Sequence, residues 1–156
     1  MQSFVANVKS PVGTWSVVGS DDGVTHIHLP HDELTASRGV APKPVADAVQ
    51  QLEEYFAGSR RTFKVKLAPS PATAFQLDVW AALRRIPYGQ VRTYGEVAEA
   101  VNRPRAHRAV GNANHANPWP IVIPCHRVVA SAGLGGYGGG DKVKRYLLDL
   151  EGVHYD

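Results

Sequence analysis

The stretch "TYGEVAEAVNRPRAHRAVGNANHAN", residues 93 to 117, decides the architecture of the C-terminal half. Thr93 stands three residues before Glu96, the capping-box spacing, in which each side chain satisfies a backbone N–H at the other residue. A helix starting there should run to about Val101. "NRPR", residues 102 to 105, breaks it, because proline removes a donor and clashes with the preceding turn. "AHRAVGNANHAN", residues 106 to 117, then resumes helical spacing with small residues. Helix, tight break and second helix is the outline of a helix-turn-helix. Many helix pairs share that outline without touching DNA.

Upstream, "TAFQLDVWAALRRI" places Phe75, Val79, Leu83 and Ile86 on one face with Trp80 adjacent, and Pro87 and Gly89 stop it. Downstream, "PIVIPCHRVVA" reads as extended. "GLGGYGGG" follows as a glycine-rich loop, and "DKVKRYLLDLEG" as a final helix capped by Asp141 and ended by Gly152. The N-terminal part changes period. "SFVANVKS", "TWSVVGS" and "VTHIHLP" alternate in the manner of a β-meander. Residues 31 to 42 read as a loop, "PVADAVQQLEEYFAG" as an amphipathic helix and "RTFKVKL" as one further strand. "APSPATA", residues 68 to 74, is the linker. The chain is therefore expected to be α+β: residues 1–70 a small antiparallel sheet with a helix, residues 71–156 mainly helical.

The 156 residues suffice for one compact domain or two small ones. No apolar run approaches the ~20 residues of a membrane helix, and the N-terminus lacks the apolar region of a signal peptide. Net charge is +3, and arginines crowd residues 84 to 127, where only Glu96 and Glu99 are acidic. Clustered arginine suits a polyanion or an ordinary solvated surface.

Cys125 is the only cysteine, so no internal disulfide forms, which fits a reducing compartment. It stands directly before His126. A thiol is mostly protonated at neutral pH, and an imidazole can take its proton directly or through one water. A carboxylate on the other ring nitrogen would fix the tautomer. In an extended segment neighbouring side chains diverge, so cooperation requires a nonstandard turn, for which Pro124 supplies stiffness. On these residues alone, a buried structural cysteine and a catalytic one both stand.

The motifs "RTYGEVAEAV", "RAVGNANHANP", "PIVIPCHRVV", "GGYGGG" and "LLDLEG" resemble, in order and spacing, those of the O6-alkylguanine-DNA alkyltransferases. The resemblance is close over residues 75 to 152 and looser over "KSPVGTWSVVGSDDGVTHIHL". It implies a ribonuclease-H-like N-terminal domain and a winged helix-turn-helix in the C-terminal one. It implies a single-turnover repair protein that binds duplex DNA through the minor groove and flips the damaged base. The alkyl group of O6-alkylguanine, and of O4-alkylthymine, would pass to the protein's own cysteine. Flipping is physically reasonable, because the reacting oxygen is hard to reach in a stacked pair.

By matching motif, Cys125 would be the acceptor, His126 its base and Glu151 the carboxylate orienting His126. Tyr94 would hydrogen-bond the flipped base, and Asn117 would brace the turn before the active-site segment. Arg108 would fill the gap left by the base. Ala109, Gly111 and Ala113 would keep the second helix slim enough for a minor groove about 6 Å wide, with Thr93 and Arg127 as further DNA contacts. Pro120, Ser131 and Tyr137 would line the pocket. No cofactor or metal is implied. His26, His28 and His31 read as ordinary strand and turn residues, and no second cysteine is present for the zinc site of some members. The partner would be double-stranded DNA carrying alkylated guanine, never a membrane. The expected species is a cytoplasmic monomer, nucleoid-associated if the source is prokaryotic, with assembly of copies along DNA left open. His107 and Ala116 depart from the family's usual small residue and glycine. A lesion sensor without transfer and a Cys–His hydrolase are the competing readings.

Overall fold

The computed structural model describes residues 3–155. The chain divides into two compact units, Met1–Ser70 and Pro71–Asp156. In the first, β1 (Phe4–Ser10), β2 (Gly13–Ser20) and β3 (Gly23–His28) form an antiparallel sheet in the order β1-β2-β3. A register shift at Val18/Gly19 bends the second pairing. Helix α1 (Lys43–Phe56) lies on the sheet and buries Val45, Ala48, Leu52 and Tyr55 against Trp15, Val17 and Val24. The loop before α1 is clipped to the sheet: Leu34 N–H donates to Ser16 Oγ at 2.9 Å, and Ser37 N–H to the Val5 carbonyl at 2.8 Å.

The strand expected over residues 61–67 is reduced to one bridge, between Val24 and Leu67. The cause lies in α1. Gln51 donates to the Lys64 carbonyl at 2.9 Å and accepts from the Lys64 N–H at 2.8 Å, diverting that backbone from the sheet. Gly23, at φ +131°, permits the remaining close approach, since a Cβ there would lie 2.7 Å from Ala68 N.

The second unit begins with α2 (Ala74–Arg84), opened by a capping box between Thr73 and Gln76. Then come β4 (Arg92–Thr93), α3 (Tyr94–Ala100) and α4 (His107–His115). Thr93 and Glu96 form the capping box of α3, with bonds of 3.1 and 2.8 Å. Helices α2, α3 and α4 pack together around Val79, Leu83, Val97, Ala98 and Val110. A short β5 (Val128–Val129) pairs in parallel with β4, and α5 (Asp141–Leu150) closes the unit. Gly140, at φ 88°, occupies the N-cap of α5, so Asp141 is its first residue rather than its cap. Among the described residues, no helix is long and apolar enough to cross a membrane.

Candidate functional site

The segment expected to be extended, residues 120–130, is folded back on itself. Asn117, just beyond α4, donates from Nδ2 to the Ile123 carbonyl at 2.8 Å and accepts from the Trp119 N–H at 3.0 Å. Ile121 takes the left-handed conformation at φ 74°, costly for a β-branched residue and held here by burial. Pro120 and Ile123 bridge across this loop. Cys125–Arg127 then forms a single 3-10 turn, with all three side chains buried. The chain at the Cys–His pair is therefore turned rather than extended. Cys125 is 5% exposed and His126 fully buried.

His126 Nε2 lies 2.7 Å from Glu151 Oε2. The same carboxylate accepts from Arg127 Nε at 2.8 Å and Nη2 at 3.1 Å. Burial would raise the Glu151 carboxyl, but the His126 imidazole and Arg127 guanidinium outweigh it and hold it well below the carboxylate range. Burial lowers His126, and Glu151 only partly offsets that. The group is therefore a neutral imidazole beside an ionised carboxylate. A carboxylate only accepts, so the proton sits on Nε2 and Nδ1 carries the lone pair. Nδ1 is buried, with no hydrogen-bond partner among the described residues.

Burial raises the Cys125 thiol, while Asn117, Tyr137, its own backbone N–H and the Lys144 ammonium pull it down. Tyr137 is driven well above the usual phenol value, first by burial and then by Cys125. Lys144, fully buried, donates to the carbonyls of Val128 at 2.6 Å and Gly136 at 3.0 Å, and burial lowers it to about 8. Tyr94, the first residue of α3, donates to the same Gly136 carbonyl at 3.3 Å. Gly135, at φ +76°, lets the glycine loop lie against the Tyr94 ring, since a Cβ would come within 3.2 Å of it. Pro120 is buried beside the turn, whereas Ser131 is exposed.

On α4, Arg108 and Ala109 are exposed and Gly111 is half-buried. Two residues expected at a DNA surface lie elsewhere. Ala113 is 3% exposed and its carbonyl accepts from Trp80 Nε1 at 2.8 Å, so it belongs to the packing of α4 on α2. Arg127 is buried, donates to the Ile86 carbonyl at 2.7 Å and stacks over Tyr88. Its charge is consumed in orienting Glu151. Thr93 is half-buried and serves as the α3 cap.

Two site residues escaped the sequence reading. Lys144 stands four before Leu148, on the apolar face of α5, where a lone cation is a signal. Asn114 stands four after Val110 on the buried face of α4, and its Nδ2 donates to the Cys125 carbonyl at 3.2 Å.

A helix pair with a buried cysteine beneath its second helix, next in sequence to a buried histidine–glutamate pair, defines the class of site that this fold presents. The profile of the 6-O-methylguanine DNA methyltransferase DNA-binding domain matches residues 74–153, and that of the accompanying ribonuclease-like domain matches residues 4–69. The chain belongs to the 6-O-methylguanine DNA methyltransferase family. It is 43% identical over 154 residues to the methylated-DNA–protein-cysteine methyltransferase of Methanosarcina acetivorans, covering 96% of this chain and 98% of that one. It is 38% identical to the constitutive enzyme of that name from Bacillus subtilis, over 98% of each chain. Its fold is similar to the crystal structure of Mycobacterium tuberculosis O6-methylguanine methyltransferase, with TM-score 0.84, 39% identity, and 96% of this chain and 93% of that chain covered. The Mycobacterium tuberculosis OGT in complex with DNA matches with TM-score 0.83 and 42% identity, over 95% of this chain and 92% of that one.

Proposed function

We propose that this protein repairs O6-alkylguanine in duplex DNA by transferring the alkyl group irreversibly to Cys125. The thiol proton passes through one water to the lone pair of His126 Nδ1, and Glu151 stabilises the imidazolium. The thiolate attacks the alkyl carbon, a C–S bond forms and the C–O6 bond breaks. The electron pair leaves on the guanine, whose ring N3 accepts a hydrogen bond from Tyr94. The proton held by His126 is the one the departing base needs, so charge balances, and no cofactor enters the step. The thioether is stable, and each molecule acts once.

The observation that carries this reading is the buried His126–Glu151 bond of 2.7 Å, which leaves a lone pair on the residue next to the chain's only cysteine. Exposed Arg108 and Ala109 on α4 suit entry into the minor groove, with Arg108 filling the space of the extruded base. In a prokaryotic cell such a repair protein acts in the cytoplasm, at the nucleoid. Incubation with duplex DNA carrying O6-methylguanine should add the mass of one methyl group to the intact protein, on Cys125, and nothing to Cys125→Ser. Tight lesion binding with unchanged mass would instead indicate a sensor, and turnover of a small ester a hydrolase.

A further inference from the structure

Arg127, expected at a DNA surface, sits behind the histidine instead, with its side chain 7% exposed and that of Glu151 fully buried. It is held from several sides. Its Nη1 donates to the Ile86 carbonyl at 2.7 Å, and its guanidinium lies over the Tyr88 ring, 5.8 Å from the centroid. The turn that carries Tyr88 also holds the carboxylate. Gly89 N–H donates to Glu151 Oε1 at 3.3 Å, and Tyr88 Oη donates to the Leu150 carbonyl at 3.1 Å. Both members of the ion pair are thereby fixed in one orientation.

A shared oxygen ties this pair to the chemistry. Glu151 Oε2 accepts from His126 Nε2 at 2.7 Å and from Arg127 Nη2 at 3.1 Å, while Oε1 accepts from Arg127 Nε at 2.8 Å. Burying a carboxylate calls for a cation, but not for one that shares the oxygen serving the base. A carboxylate alone there would draw a proton onto His126, because a neighbouring opposite charge favours the charged form. An imidazolium has no lone pair left to take the thiol proton. Paired with a guanidinium, the carboxylate still fixes the tautomer yet carries little net charge. Burial is the largest influence lowering His126; Glu151 raises it, and Arg127 and Lys144 of α5 lower it again. On the thiol side, burial raises both Cys125 and Tyr137.

We propose that Arg127 is a positioning residue for the transfer: acting through Glu151, it keeps Cys125 and His126 as neutral thiol and neutral imidazole until an alkylated base is seated. The proposal rests on the alkyl-transfer reading above and concerns the resting state of that same site. The chain's only cysteine is thereby spared a standing thiolate, the form that reacts with stray electrophiles. Its single use is kept for the lesion.

The test is the pH dependence of single-turnover methyl transfer at saturating O6-methylguanine duplex, in wild type, Arg127→Met and Arg127→Lys. In Arg127→Met the acid limb, where His126 gains its proton, should move up by roughly 1–3 pH units. Its rate should therefore fall steeply near about pH 6 and little near about pH 9. Arg127→Lys keeps the charge without the planar fork, so its limb should stay close to that of wild type. A loss by the same factor at every pH, with the limb unmoved, would overturn the proposal and leave Arg127 a packing role. Should Arg127→Met fail to fold, nitrogen NMR of unreacted wild type decides the matter. His126 Nδ1 should show a bare lone pair at neutral pH and titrate below the free-imidazole value of about 6.5. Titration at or above that value would overturn the proposal. Wild type that transfers no methyl at any pH would remove the alkyl-transfer reading as well. Normal transfer with an unmoved limb would remove this inference alone.

Discussion

At the scale of the residue, Glu151 is the hub. One carboxylate serves His126 and Arg127 inside the protein, and each partner explains the other's burial. Its depressed carboxyl adds stability that is present above the unfolded carboxylate value, about 4.3, and lost as pH falls through the folded value. His126 is depressed as well, so the unfolded chain takes up a proton first, below about 6.5, and stability declines from there. Wild type should thus lose stability steadily from about pH 7 to about pH 4 in urea titrations. The variant that isolates the carboxylate's charge is Glu151→Gln. It should be less stable at neutral pH by roughly 3–5 kcal/mol, because Arg127 is left buried without its counter-charge. Below about pH 4 its stability should change less with pH than that of wild type. A variant as stable as wild type at neutral pH would remove Glu151 from the role assigned to it.

At the scale of the element, α3 and α4 divide the work. The α3 capping box fixes the helix start, and Tyr94 is the first residue after the cap. Thr93→Ala should cost about 0.5–2 kcal/mol in chemical denaturation. It should also slow alkyl transfer in the folded protein, because Tyr94 loses its fixed starting point. An unchanged transfer rate at saturating DNA would show that the cap matters to stability alone. Helix α4 carries Arg108 on its exposed side and Asn114 on its buried side. Arg108→Ala should change stability by no more than about 0.5 kcal/mol. It should slow repair of duplex DNA far more than reaction with free O6-benzylguanine, and equal losses in the two assays would argue against a role in extruding the base.

At the scale of the whole molecule, the reactive sulfur sits in a closely packed interior. Adding an alkyl group there overfills it, and overpacking typically costs ~1–3 kcal/mol. The alkylated protein should melt at a lower temperature than the unreacted one in calorimetry. An equal or higher melting temperature would mean that the site accommodates the adduct without strain. Binding to undamaged duplex should weaken steeply with added salt, because contacts to phosphates release counterions. A flat salt dependence would count against a basic DNA-facing surface.

Local signals were enough for much of this protein. The alternation of β1 to β3, the Thr93–Glu96 box, the break at Pro104 and the helical period of α2 and α5 are each written within a few residues, because they depend on backbone propensity and capping. Motif spacing likewise carried the family. Other features depend on groups far apart in the chain. Gln51 takes the backbone of Lys64 away from the sheet, Asn117 folds residues 119–123 into a loop, and Glu151 draws Arg127 inward from the surface where its charge alone would place it. Those outcomes were decided by tertiary structure, because a buried polar group must find its partner wherever the fold supplies one.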